Sequence, residues 1–177
     1  MKEQTEQGYS RLARVLHWVS AVAIVGLFAL GLWMVGLDYE HAWYDAAAHY
    51  HESVGILTAV LLVFRLLWRL LTPQPSLSSM SVWEKSAARA AHAVMYGLCI
   101  AIFVSGYLIP TADGRSIPVF SWFSVPALGS FHHLQADIAG TLHYYLAIGL
   151  IGLVVVHALA ACKHHFVDKD DTLKKML

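Results

Sequence analysis

Charge is the scarcest thing in this chain of 177 residues. Asp, Glu, Lys and Arg make up 14% of it, where a water-soluble domain carries about a quarter. Hydrophobic residues reach 58%, so an ordinary soluble enzyme and a disordered chain are both excluded. Neither sign dominates. Twelve basic side chains face 12 acidic ones, which leaves no basic excess of the kind that binds nucleic acid. Cysteine is nearly absent. Cys99 and Cys162 stand alone in apolar surroundings, too few for a disulfide scaffold and best read as packing residues. There is no Cys-x-x-Cys-His, which excludes covalent haem attachment. Neither His-Glu-x-x-His nor a Cys-rich cluster gathers ligands for zinc at one place. No signal peptide, internal repeat or low-complexity tract is evident. The residue in excess is histidine, with 11 copies.

Long runs without charge mark membrane spans. Arg14 and Asp38 enclose 23 uncharged residues, Arg89 and Asp113 another 23, and Asp137 and Lys163 enclose 25. Each exceeds the roughly 20 residues that cross the hydrocarbon core as a helix. A fourth apolar stretch, about 49–71, carries Glu52 near its start and Arg65 and Arg69 near its end. Arginines close to a helix end reach the interface, so this stretch also spans. The sequence therefore predicts an all-α integral membrane four-helix bundle, with helices at about 15–37, 49–71, 90–110 and 139–162. It predicts a disordered tail over 1–8 and a single membrane domain over 9–177. Pro73-Gln74-Pro75 and the serines after it read as a short linker.

Eleven of the twelve Lys and Arg residues fall in the two termini and the second connection, counted with the end of the second span that carries Arg65 and Arg69; Arg115 is the exception. The positive-inside rule then places both termini in the cytoplasm. The long third connection, about 111–138, holds Pro118, Pro126, Gly129, Phe120, Trp122, Phe123 and Phe131. It reads as a folded cap at the outer interface.

Four histidines fall at matched depths. His17 lies at the inner start of the first span and His51 at the outer start of the second. His143 and His157 share the fourth span, 14 residues apart, which is about 21 Å along a helix and close to four full turns. His157 therefore pairs in depth with His17, and His143 with His51. Two levels, each offering two imidazoles from different helices, suit two bis-histidine haems stacked across a membrane. A macrocycle lying against a helix needs a small residue one turn from its ligand. The i+4 positions are Ala21, Gly55, Ala147 and Ala161, whereas His92 has Tyr96 there. Small residues also serve helix packing, and a lone membrane histidine is commonly an interhelical hydrogen-bonding residue. The matched depths favour ligation. His92 then reads as a hydrogen-bonding residue toward a haem propionate or the backbone, because two bis-histidine haems take only four ligands. Arg65, at the depth of His157, either pairs a haem propionate or snorkels to the interface.

These residues resemble the bacterial cytochrome b561 family. The likeness rests on Tyr9-Ser10-Arg11 leading to His17-Trp18, on His51-Glu52-Ser53-Val54-Gly55-Ile56, and on His143 with His157. The ending from His164-His165-Phe166 through Asp168, Asp170 and Asp171 to Thr172-Leu173 completes it. The likeness covers about residues 9–177. It implies two non-covalent b-type haems with His17, His51, His143 and His157 as axial ligands. It also implies a multi-pass protein of the bacterial inner membrane that moves electrons between a periplasmic donor and membrane quinone. The family's type member is described as a superoxide oxidase, which would make this chain a superoxide:quinone oxidoreductase with ubiquinone as acceptor. His164 matches a position implied to contact quinone; the alternative is an interfacial residue near lipid headgroups.

One feature departs from that expectation. An anionic substrate calls for a positive approach. The outer connections hold Asp38, Glu40, Asp45, Asp113 and Asp137 against Arg115, with Glu52 beside the outer level. His41, His49, His132 and His133 add charge there only in mild acid. An acidic face suits a cationic substrate or a basic redox partner instead. The alternative reading is therefore a membrane haem anchor that relays electrons to or from a partner protein.

Overall fold

The computed structural model describes residues 8–75 and 80–177. Residues 1–7 of the tail expected to be disordered, and 76–79 of the linker, lie outside the described residues. Four helices form the body: α1 Arg11–Val35, α2 Tyr44–Leu71, α3 Val82–Leu108 and α4 Gln135–Phe166. All four are long and apolar enough to cross a membrane. Each runs beyond the uncharged stretch that marks it in the sequence. Charge-free runs measure the hydrocarbon layer, while helical hydrogen bonding continues into the headgroup layer. α3 begins eight residues before the expected 90, where Ser81 and Glu84 form a reciprocal capping box. Ser10 starts α1 by accepting the Ala13 N–H at 3.2 Å. Hydroxyls inside the helices are satisfied by the preceding turn. Thr58 donates to Val54 O at 2.7 Å, Ser105 to Ala101 O at 2.8 Å, and Ser20 to Leu16 O.

α1 packs closely on α2, and α3 on α4, while contacts between these two pairs are sparse. The bundle is thus two helical hairpins facing each other across a seam. The seam is pinched at mid-height. Leu62 of α2, Cys99 of α3 and Leu150 of α4 are buried together there, with Ile24 of α1 against them. Elsewhere the spans present exposed apolar side chains such as Val22, Val60 and Val156, as a lipid-facing surface does.

The start of α1 and the C-terminal tail lie at the same end of the bundle. The tail after α4 folds back, so that the Tyr9 N–H donates to Lys175 O at 3.1 Å. Arg14 reaches Leu177 O at 2.6 Å and the Trp18 indole reaches Met176 O at 3.0 Å. The other end carries the cap. Strands β1 Ile117–Val119 and β2 Phe123–Val125 pair antiparallel, Ile117 with Val125 and Val119 with Phe123. Ser53, fully buried two residues after His51, holds this hairpin. It donates to Pro118 O at 3.3 Å and accepts the Phe120 N–H at 3.0 Å. That bond keeps Phe120 at a φ of 48°, in the left-handed region. Gln135 ties the start of α4 to the end of α3. It accepts the Phe131 N–H at 2.8 Å and donates to Leu108 O at 2.9 Å.

Candidate haem sites

The seam carries imidazoles at two levels. At the cap end, His51 of α2 and His143 of α4 face each other with ring centroids 6.0 Å apart and planes inclined by 74°. Metal–imidazole bonds are about 2 Å long, so two of them on opposite sides of one iron place the ring centres roughly 6 Å apart. His143 is fixed as a ligand should be. Its Nδ1 lies 3.0 Å from Ile102 O. A carbonyl only accepts, so Nδ1 carries the proton and Nε2 keeps its lone pair. His51 Nδ1 is buried with no hydrogen-bond partner among the described residues.

Each of these two rings is backed by a glycine of its hairpin partner. A Cβ on Gly31 of α1 would lie 3.2 Å from His51 Cε1, and one on Gly106 of α3 would lie 3.0 Å from His143 Cε1. Reading depth among the histidines alone misses both glycines. The signal was present, since Gly31 is 14 residues after His17 and Gly106 is 14 after His92. Gly55, by contrast, has open space where a Cβ would stand. That leaves the surface one turn from His51 free for a flat ligand.

At the termini end the level is built from His17, Arg65, His92 and His157. Arg65 Nη2 lies 2.8 Å from His17 Nδ1. Its guanidinium also sits 5.6 Å from the centre of the Tyr96 ring. His92 meets His157 edge-on with centroids 5.2 Å apart. His157 and Arg69 stand close enough to His17 to act on it electrostatically. Arg65 is therefore inside the bundle at the depth of His157 and is not turned out to the interface. A neutral imidazole that binds iron through Nε2 carries its proton on Nδ1. The Arg65–His17 bond thus describes the unligated ring, and ligation leaves the guanidinium needing another acceptor. The donor set, the levels, the backing glycines and the sparse contacts between the two hairpins all fit haem.

His164 is buried at the termini end. Its Nδ1 lies 2.9 Å from Asp168 Oδ2 and 3.1 Å from Asp170 Oδ2. Glu84, His164 and Asp168 converge. Lys163 Nζ lies 3.0 Å from Glu84 and 2.7 Å from Asp168, so a lysine already supplies the cation this cluster needs. At the cap, His41 and His132 close the turns that precede α2 and α4, accepting the Trp43 and Leu134 N–H groups at 3.2 and 3.1 Å. Arg115 and His49 stand near Glu52.

Four apolar spans around imidazole pairs at two depths define a membrane cytochrome of the b type. The chain matches the prokaryotic cytochrome b561 family over residues 8–177 and belongs to that family. It is 51% identical to cytochrome b561 homolog 2 of Escherichia coli strain K12 over 174 residues, covering 98% of this chain and 93% of the relative. A probable superoxide oxidase of Yersinia pestis is 35% identical over 174 residues, covering 96% and 95%. Cytochrome b561 homolog 1 of Escherichia coli strain K12 is 24% identical over 170 residues, covering 96% of each. The chain is accordingly a multi-pass haem protein of the bacterial inner membrane that works in electron transport.

Proposed function

We propose that the chain is a di-haem b-type cytochrome that passes single electrons across the membrane, from a periplasmic donor at the cap end to quinone at the termini end. The termini end is cytoplasmic, because it holds nearly all the Lys and Arg. The observation that carries the reading is the His51–His143 pair, 6.0 Å apart, with the second ring nitrogen of His143 committed to Ile102. His51 and His143 hold one haem and His17 and His157 the other. Bound haem supplies reversible one-electron chemistry at both levels. The protein fixes ring orientation, excludes water from the seam and separates the levels. Arg65, displaced from His17, pairs a propionate of the haem at its level. His164 stands where quinone would be met, beside Asp168 and Asp170, which connect it to water at the termini end.

Superoxide is the candidate donor, as the name of the Yersinia pestis relative suggests. Two superoxide ions would each give up one electron and leave as dioxygen, and quinone would take both electrons with two protons to become quinol. A reduced-minus-oxidised spectrum with a pyridine haem count tests the cytochrome, with two b haems per chain expected. Stopped-flow mixing with superoxide tests the donor; haems that stay oxidised would rule it out.

The excess of Asp and Glu in the outer connections favours a second donor class, a basic periplasmic redox protein. In that case the chain is a haem anchor for its partner, and a redox subunit co-purifies with it at low salt and is released at high salt.

A further inference from the structure

Each helix carries a pair of residues 14 apart that mark the two levels: His17 and Gly31, His51 and Arg65, His92 and Gly106, His143 and His157. The pairs expose an asymmetry. At the cap end both imidazoles are backed by glycine, and His143 donates its Nδ1 proton to the Ile102 carbonyl. At the termini end the same backing positions hold Arg65, against His17, and His92, against His157. Arg69 adds a second cation that acts on both His17 and His92.

These surroundings work in opposite directions on a bound iron. A ligand whose Nδ1–H is given to a carbonyl becomes more electron-rich and favours the oxidised metal. Glu52, half-buried next to His51 and partly offset by Arg115, works the same way. A guanidinium in a desolvated seam favours the added electron, because Coulomb interactions are strong where water is excluded. With haem bound and His17 ligated, Arg65 stays charged and offsets the negative propionate it pairs, a charge that would otherwise oppose the added electron.

We infer that the backing residues, chiefly Arg65, make the termini-end level the higher-potential one, so that an electron entering at the cap end runs downhill toward the termini end. This rests on the two-haem reading above. The transfer is of one electron, with no bond made or broken, and Arg65 acts as a positioning charge that does not itself react.

A spectropotentiometric titration of the haem-loaded chain in phospholipid nanodiscs tests it. Two one-electron waves are expected. His51→Ala should abolish the lower wave. Arg65→Gln should move the higher wave to lower potential and leave the other in place, while Arg65→Lys should largely restore it. Arg69→Gln, farther toward the headgroups, should move the same wave the same way by less. It provides the readout if Arg65→Gln fails to fold. The inference is overturned if His51→Ala abolishes the higher wave, or if neither arginine substitution moves a wave. A wild-type chain that binds fewer than two haems would overturn the site reading itself, and is told apart by the pyridine count.

Discussion

Gly106→Ala is the sharpest test of the cap-end site, because the outcome follows from distances. The new methyl would stand 3.0 Å from His143 Cε1 and 3.1 Å from its Nδ1, where ordinary contact begins near 3.4 Å. The ring must give by roughly 0.4 Å, and overpacking of this kind costs about 1–3 kcal/mol. It cannot slide along α3 without weakening the Nδ1–Ile102 bond, worth about 1 kcal/mol. Nor can it move forward without compressing the 6.0 Å spacing to His51. A loss of about 2 kcal/mol at this site means haem held roughly thirtyfold more weakly. Alanine is the better helix former, by about 1 kcal/mol, so α3 itself does not melt. Gly31→Ala is the matched control. Its methyl would meet His51 Cε1 at 3.2 Å and Nδ1 at 3.7 Å, and His51 has no Nδ1 hydrogen bond among the described residues to lose. Its cost should fall at or below the low end of the overpacking range, about 1 kcal/mol. The assay is the rate of haem release to excess apomyoglobin, with the haem count before and after. Equal release rates from wild type and Gly106→Ala, or faster release from Gly31→Ala than from Gly106→Ala, would refute the placement of these rings.

Three further outcomes are expected. Gly55→Ala meets nothing within 4 Å, so the haem-free chain should be as stable as wild type while haem at the cap end is held more weakly; an unchanged release rate would show that no ligand lies on that surface. His51→Ala and His157→Ala should each lower the haem count from two to one, and the double variant to none, as read by the pyridine assay. The tail should loosen in acid. Burial opposes ionisation of Asp170, but the Thr172 N–H at 2.8 Å and the neighbouring His164 hold its carboxyl below the usual range. A lowered folded pKa gives stability that is present above the ordinary carboxylate range and is lost as pH falls through the lowered value. Protease cleavage after Lys169 should therefore rise as the pH is taken well below 4, and Asp170→Ala should raise it already at pH 7.

The body of the fold was legible because lipid imposes a simple code. A helix must be apolar for its whole crossing, so Arg14, Asp38, Arg89, Asp113, Asp137 and Lys163 bracket three spans directly. The pairing of His51 with His143 was legible because helix rise turns residue count into depth. What escaped the sequence had a weak or ambiguous signature. β1 and β2 are three residues each, too short for alternation to register. The tail is held at Lys175, Met176 and Leu177 through backbone carbonyls, which any residue provides. His164 reads equally as a quinone contact or an interfacial residue, and its burial against Asp168 and Asp170 depends on a tail whose return no local pattern announces. Gly31 and Gly106 escaped because glycine is common in membrane helices. Their meaning lies in what stands opposite.

The mid-membrane contact explains why the seam would hold two separate sites and not one shared cavity. Leu150 lies seven residues from both His143 and His157, about 10 Å along α4 from each. It is buried against Leu62 and Cys99, with Ile24, Ile102, Phe103 and Val154 packed around them, so the seam is closed at that height largely by apolar side chains. Open the contact, for instance with Leu150→Ala, and the cost should be about 2–5 kcal/mol. Both levels should then loosen together, because this plug is what keeps the two hairpins in register. The plug also keeps water out between the levels. On the two-haem reading, electrons would cross the roughly 20 Å of α4 between the levels in one haem-to-haem transfer. On the proposed reading, such a bundle would carry electrons from one level to the other without opening a water-filled path between the two sides.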